Sequence, residues 1–225
     1  MLTERLHSDE LMDDPSLDPD TYRALLADLA WVNRMTMAYR PTLAFLDRVK
    51  DTSRTLKILD VGFGDGDMLR RIARWAQDRG QKVELVGVDL NPRSKPAAEA
   101  HGGDITYVTG DYADFAGQGF DCVISSLVAH HMTHGQLVAF LRFMEAESAR
   151  GWFVNDLHRH ALAWLGYPLL ARLARWHPIV RSDGHTSIAR SYRPAEWQPL
   201  LQQAGITQAR VERRFPFRLC VSRIR

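Results

Sequence analysis

The chain reads as an α/β protein: a seven-stranded, mostly parallel sheet with helices on both faces, an antiparallel C-terminal hairpin and a small helical cap. Three observations predict this. Short apolar runs alternate with helix-period segments from residue 55 onward, the pattern of a parallel sheet covered on both sides. The first apolar run enters a glycine-rich turn that opens a helix. The last two apolar runs, 206–214 and 218–224, are joined by Phe215-Pro216-Phe217, a short connection suited to a hairpin.

The elements follow in order. Asp18-Pro19 supplies an N-cap and a first-turn proline, and Leu25, Leu26, Leu29 and Val32 give the helix that follows an apolar stripe. This helix is expected to run to Arg40-Pro41, because the residue before proline avoids the helical region. A second helix is expected over 42–50. Strands are expected at 55–61, 83–90, 105–109, 120–127 and 152–157, with helices at 67–79, 95–101 and 136–149 between them. Gly80 stops one helix and Pro92 closes one strand. The beat breaks over 158–190, which is amphipathic and rich in arginine and aromatic residues. A helix over 194–203, ended by Gly205, precedes the hairpin. The organisation is then an N-terminal helical lid, 1–54, and a main domain, 55–225, with a cap insertion at 158–190.

Composition sets bounds. The 225 residues are 45% hydrophobic and 25% charged, ordinary for one globular unit. A net charge of +2 points to no nucleic-acid partner. Its distribution is uneven: residues 1–28 hold eight acids against two arginines, and 206–225 hold six arginines against Glu212 alone. The acidic segment either lies on a basic surface elsewhere or is simply solvated. Cys122 and Cys220 sit in apolar runs and read as buried thiols of a reducing compartment. Without an apolar leader or an 18-residue apolar stretch, the expected location is the cytoplasm.

The motif with the most chemistry is Leu56-Lys-Ile-Leu-Asp60-Val61 running into Gly62-Phe-Gly64-Asp-Gly66-Asp67. Glycines there permit positive φ and close approach of a ligand to the backbone, and the helix N-terminus offers free N–H groups. A dinucleotide site prefers Gly-x-Gly-x-x-Gly. Here the third glycine comes one residue early, and acids at 65 and 67 oppose a pyrophosphate. They tolerate a cationic ligand, and Asp60 either orients the loop or accepts from an ammonium. Asp89 ends the second strand, where a carboxylate accepts ribose hydroxyls or caps a turn. Gly110-Asp111-Tyr112 follows the third, placing an acid beside an adenine position.

At these residues the chain resembles class I S-adenosylmethionine (SAM)-dependent methyltransferases of Rossmann-like fold. Asp60, Gly62, Gly64 and Gly66 match their first motif, Asp89 and Leu90 their second-strand segment, and Gly110, Asp111 and Tyr112 their adenine-side motif. Ser125-Ser126-Leu-Val-Ala-His130-His131 is similar to the ubiquinone/menaquinone-biosynthesis type, which adds Ser126 to the implied SAM contacts. In related enzymes an N-terminal arm closes over the methionine end of SAM, which makes Arg40 a candidate partner of its carboxylate. Asn155-Asp156-Leu-His-Arg159 and Asp183-Gly184-His-Thr-Ser187-Ile-Ala-Arg190 resemble polyketide and phenolic natural-product methyltransferases of secondary metabolism.

The acceptor is expected beyond the carboxyl ends of the strands, near His130, His131, Asn155, Asp156 and the 158–190 block. His131 or His130 is the expected general base; the alternative is that the pair caps or packs the following helix. No metal is expected, since Ser125-Ser126 stand where metal-dependent relatives place an acid. Between Leu157 and Ser182 the chain has four arginines and no acid. That suits a hydrophobic or phenolic small-molecule acceptor, or peripheral membrane contact through 158–181, or a cap helix with a solvated face. The resemblance implies O-methylation of an aromatic or polyketide-like compound. The alternatives are C-methylation of a quinone-type lipid precursor, a nicotinamide oxidoreductase, and a SAM-binding protein without catalysis.

Overall fold

A computed structural model describes residues 2–225. The strands are β1 (Leu56–Val61), β2 (Val83–Asp89), β3 (Thr106–Thr109), β4 (Phe120–Ser126), β5 (Ser148–Leu157), β6 (Arg210–Arg214) and β7 (Arg218–Ile224). The helices are α1 (Pro19–Met35), α2 (Tyr39–Val49), α3 (Asp67–Arg79), α4 (Ser94–Glu99), α5 (His134–Glu147), α6 (Ala161–Leu173), α7 (Pro178–Arg190) and α8 (Pro194–Gln203).

One sheet in the order β3-β2-β1-β4-β5-β7-β6 organises the chain. The first five strands are parallel, and β7 runs antiparallel to both β5 and β6. The expected architecture is therefore the observed one. The middle strands are apolar throughout because both of their faces are covered. On one face α2 and α3 pack Phe45, Leu46, Leu69 and Ile72 against Ile58, Cys122 and Phe153. On the other, α5 and α8 pack Leu137, Leu141, Trp197 and Leu200 against Leu59, Val123 and Val221. Cys122 and Cys220 are buried free thiols. Burial pushes both up to about 12, so they stay protonated.

Several boundaries differ from expectation; β6, for one, begins at Arg210 rather than at 206. Helix α1 ends at Met35 rather than at Arg40, and Met37 takes a φ of 52° in the link to α2. Pro41 sits inside the first turn of α2, where its missing N–H would have no intrahelical partner anyway. The proline therefore starts a helix instead of ending one. Strand β5 begins at Ser148, four residues earlier than the apolar run suggests, because it gains ladder partners in both β4 and β7.

The acidic N-terminal segment meets both hydrogen-bond donors and basic side chains, with Glu10 3.7 Å from Arg190 Nη1. The Asp18 carboxylate caps α1, accepting from Thr21 N at 2.9 Å. Asp28 accepts from His177 N at 2.7 Å, ahead of α7. The C-terminal arginines Arg223 and Arg225 instead pair with Glu145 of α5. No helix among the described residues is long and apolar enough to cross a membrane.

The core and the cap make a testable contrast. Leu59, wholly buried in β1, is expected to cost about 2–5 kcal/mol when replaced by alanine. Leu165 of α6 is 65% exposed, and its replacement by alanine is expected to stay within about 0.5 kcal/mol. Urea unfolding of the two variants measures both.

Candidate active site

The parallel register gathers the functional strand ends. Val61 pairs with Val88 of β2 and with Ser125 of β4, so Asp60, Asp89 and Ser126 come out on one edge. Beyond it the chain turns sharply. Gly62 has a φ of +79°, and a Cβ there would stand 2.2 Å from Val128 Cγ2. Gly66 has a φ of +76°, and a Cβ there would stand 2.3 Å from the Tyr107 hydroxyl. No side chain fits at either position, which is why the motif needs glycine. Asp89 braces this turn. Its Oδ2 accepts from Gly64 N at 2.9 Å and its Oδ1 from Asn91 N at 2.8 Å. The acids flanking Gly66 organise the start of α3. Asp65 Oδ1 accepts from Asp67 N at 3.0 Å, and Asp67 Oδ2 accepts from the Tyr39 hydroxyl at 2.7 Å and Asn33 Nδ2 at 3.1 Å.

A cavity of about 680 Å³ extends from this turn to the cap. Asp60, Gly62, Gly64, Asp89 and Leu90 line its sheet side. Gly110, Tyr112, Ser126, His130 and His131 line it further along. The opposite wall comes from α6 and α7, with Leu162, Tyr167, Leu170, Val180 and Ile188. Three expected residues do not line it. Gly66 lies one step behind, at the N-cap of α3. Asp111 is exposed and its Oδ1 caps the next turn, accepting from Ala113 N at 2.9 Å. Arg40 is also exposed, because the early end of α1 places it on the outer side of the first turn of α2. Asn155, expected near the acceptor, is spent on structure. Its Nδ2 donates to Ala38 O at 2.7 Å and Thr42 Oγ1 at 3.0 Å, fixing the start of α2.

The electrostatics of the wall are uneven. Asp60 is buried and its Oδ1 has no hydrogen-bond partner among the described residues. Burial, then Asp67 and Asp89, push its carboxyl up to about 8. His130 is held from both ends. Its ring Nδ1 lies 2.7 Å from Asp156 Oδ1, and its Nε2 lies 3.5 Å from Glu10 Oε1. Burial alone would lower this imidazole, but the two carboxylates outweigh it and hold it at about 9. His130 is thus a buried imidazolium at neutral pH, and the expectation that it serves as a free base is corrected. His131 remains half-exposed at the cavity, with Nδ1 3.4 Å from Asp13 Oδ2.

Sequence reasoning missed Glu10 and Arg218 and included His158 only as the start of the 158–190 block; all three line the cavity. Glu10 comes from the N-terminal segment, and its Oε1 accepts from Ser187 Oγ at 2.8 Å. Only the acid-rich character of that segment hinted at it. Ligand atoms of Glu10, His130 and His131 lie within 4.8 Å of one another, a spacing able to hold a metal ion. Arg190 Nη1, 3.7 Å from Glu10 Oε1, already offsets part of that carboxylate's charge. His158 is lowered to about 4 by burial and by the neighbouring guanidiniums of Arg213 and Arg193, so it is neutral.

Comparisons with known proteins agree with this geometry. Residues 58–146 match the family model described as a methyltransferase domain. The structure of the plantazolicin methyltransferase BpumL, in complex with a desmethylPZN analog and SAH, superposes with a TM-score of 0.63 at 15% identity over 89% of this chain and 74% of that one. Magnesium protoporphyrin IX methyltransferase from Synechocystis PCC 6803, with bound SAH, gives 0.58 at 17% identity over 95% and 90%. PigF with SAH gives 0.63 at 16% identity over 96% and 62%. No curated protein sequence matches the chain. The chain takes the fold of class I, SAM-dependent methyltransferases, and its residues 58–146 match the model of a methyltransferase domain.

Asp60 provides a test that needs no ligand. Its folded value of about 8 lies above the unfolded carboxylate value. Between roughly pH 4 and 8 the folded state therefore holds a proton that the unfolded state has lost, and stability falls as pH rises. The slope is at most about 1.4 kcal/mol per pH unit. Asp60→Asn is expected to remove this contribution, so that the variant gains on the wild type as pH rises from 5 to 8. Thermal or urea melts across that range give the difference.

Proposed function

We propose that the chain is a SAM-dependent methyltransferase and that it methylates an oxygen of an aromatic or polyketide-like hydrophobic small molecule, a reading its fold and the methyltransferase-domain match over 58–146 support. The observation that carries this reading is the continuous cavity, which joins the glycine turn to an apolar cap with His131 between them. Its volume of about 680 Å³ falls in the upper part of the range for small-molecule sites. The walls suit the cofactor. Asp60 presents an unpartnered buried acceptor to an ammonium, and Asp89 keeps unused lone pairs for ribose hydroxyls. Leu90, Gly110 and Tyr112 offer the surface for the adenine.

SAM supplies a methyl group already activated on a sulfonium. The chain's contribution is then placement and exclusion of water. Leu170, Val180 and Ile188 hold the acceptor body in an apolar enclosure. His131 takes the proton of the acceptor hydroxyl. His130, fixed between Asp156 and Glu10, positions its neighbour, the two rings lying 4.3 Å apart. The N-terminal segment acts as a lid. Arg5 anchors it to Tyr192 Oη at 2.5 Å and to the His130 carbonyl at 3.2 Å. Turnover of SAM to S-adenosylhomocysteine over a panel of phenols, quinols and polyketide-like acids tests the reading. An exclusive preference for carbon acceptors would overturn it. His131→Gln is expected to lower kcat by ~10²–10⁴ with cofactor affinity unchanged.

The outer face of α6 supports delivery of a lipophilic acceptor from a membrane surface. Leu162, Leu165, Leu169 and Leu173 are 64–74% exposed and fall on one side of the helix, with Arg172 and Arg175 exposed near its end. Co-sedimentation with anionic vesicles is expected for the wild type and lost in the Leu165→Asp, Leu169→Asp double variant.

A further inference from the structure

Arg218 opens β7 and stands in register with Leu157, at the carboxyl end of β5. It is 2% exposed, yet its guanidinium is poorly satisfied. Nη2 makes a long hydrogen bond of 3.4 Å to Asn33 Oδ1, and Nη1 is buried with no partner among the described residues. The nearby carboxylates are committed elsewhere. Asp156 Oδ1 receives His130 Nδ1 and Leu157 N, both at 2.7 Å, and its Oδ2 receives His130 N at 2.9 Å. Asp67 Oδ2 receives Tyr39 and Asn33. Arg218 thus lacks an ion-pair partner within 4.0 Å among the described residues. A buried guanidinium stays charged, and leaving it without a counter-anion is costly. The side chain lines the cavity, so a ligand can supply that anion.

The same cavity holds a carboxyl group in the same unsatisfied condition, one that keeps its proton near neutral pH and gives it up to accept a cation. Asp60 has an unpartnered Oδ1, and Asp67 is among the charges acting on both Asp60 and Arg218. A buried acceptor and a buried cation, each missing one partner, complement a zwitterion. Resting on the SAM reading above, we infer that Arg218 receives a carboxylate, the α-carboxylate at the methionine end of the cofactor, while Asp60 receives the neighbouring ammonium. The fork of the guanidinium matches a carboxylate bidentately. Arg218 takes the part that the sequence suggested for Arg40, which is exposed and outside the cavity. Arg218 is a binding residue and takes no part in methyl transfer.

Calorimetry with two probes tests this. S-adenosylhomocysteine carries the amino-acid group, and 5′-methylthioadenosine carries the nucleoside and sulfur without it. The wild type is expected to prefer S-adenosylhomocysteine. Arg218→Met is expected to weaken its binding by about 10- to 100-fold, the range for bonds to a charged group, with methylthioadenosine affinity unchanged. Arg218→Lys, which keeps the charge without the fork, is expected to fall between, and it serves where the methionine variant does not fold. If either folded variant keeps the full wild-type preference between the probes, the inference is overturned. A third arm uses salicylate as an acid-bearing acceptor probe. Weakened salicylate binding with unchanged S-adenosylhomocysteine binding would assign the carboxylate to the acceptor and overturn the cofactor assignment. A wild type that binds neither nucleoside overturns the cofactor reading itself, whereas normal binding of both by Arg218→Met overturns the role of Arg218 alone.

Discussion

Strand β1 is paired on both sides, with β2 and with β4, and that double pairing decides what the ligand cavity is made of. Its register puts Val61 beside Val88 and Ser125, so the chain leaves the sheet at one shared edge. The turn after Val61 must then pass between neighbours already in place. Val128 and Tyr107 leave no room for a side chain at Gly62 or Gly66. Asp89, reaching across from β2, ties the turn down through Gly64 N. Loop, acid and helix start are one mechanical unit, and a shift of any one displaces the others.

The buried charges of the site fall into two kinds. Those around His130 satisfy one another: Asp156 and Glu10 hold the imidazolium, and Ser187 and Arg190 hold Glu10. Such a network is rigid because removing any member strands a charge in a low-dielectric interior. Asp60 and Arg218 are different, since neither has an ion-pair partner within 4.0 Å among the described residues, whereas Arg190, whose Nη1 also lacks a hydrogen bond, has Glu10 at 3.7 Å. In a well-packed interior unmatched polar atoms are rare. A cavity that keeps a carboxyl oxygen and a guanidinium nitrogen unmatched is organised for a ligand more than for its own stability.

The N-terminal segment joins these parts over long sequence distances. Arg5 contacts residues 125 to 187 positions away, and Asp183 accepts from Leu11 N and Met12 N at 2.9 Å each. Glu10 completes the histidine cluster from this same segment. The cap is tied back as well, through the Tyr167 hydroxyl donating to Val180 O at 2.7 Å. The acceptor side of the cavity is thus assembled from three distant stretches of chain, the cofactor wall mostly from the carboxyl ends of β1, β2, β3 and β4.

That difference separates the features legible in the sequence from those that were not. Alternating apolar runs, the glycine turn and the acids at the ends of β1 and β2 are local signals, each imposed by backbone geometry within a few residues. They were enough to specify the sheet, its two covered faces and most of the cofactor wall. Local signals misled where a residue's role depends on a distant neighbour. Pro41 looked like a helix end but begins α2, and Arg40 looked like an anion partner but faces solvent. His130 looked like a free base until Glu10 and Asp156 closed on it. Arg218 sat in a run of arginines with nothing in the pattern to single it out. Only the tertiary structure buried it while its neighbours Arg213 and Arg214 stayed in solvent, because only burial separates a charge that needs a partner from one that water already satisfies.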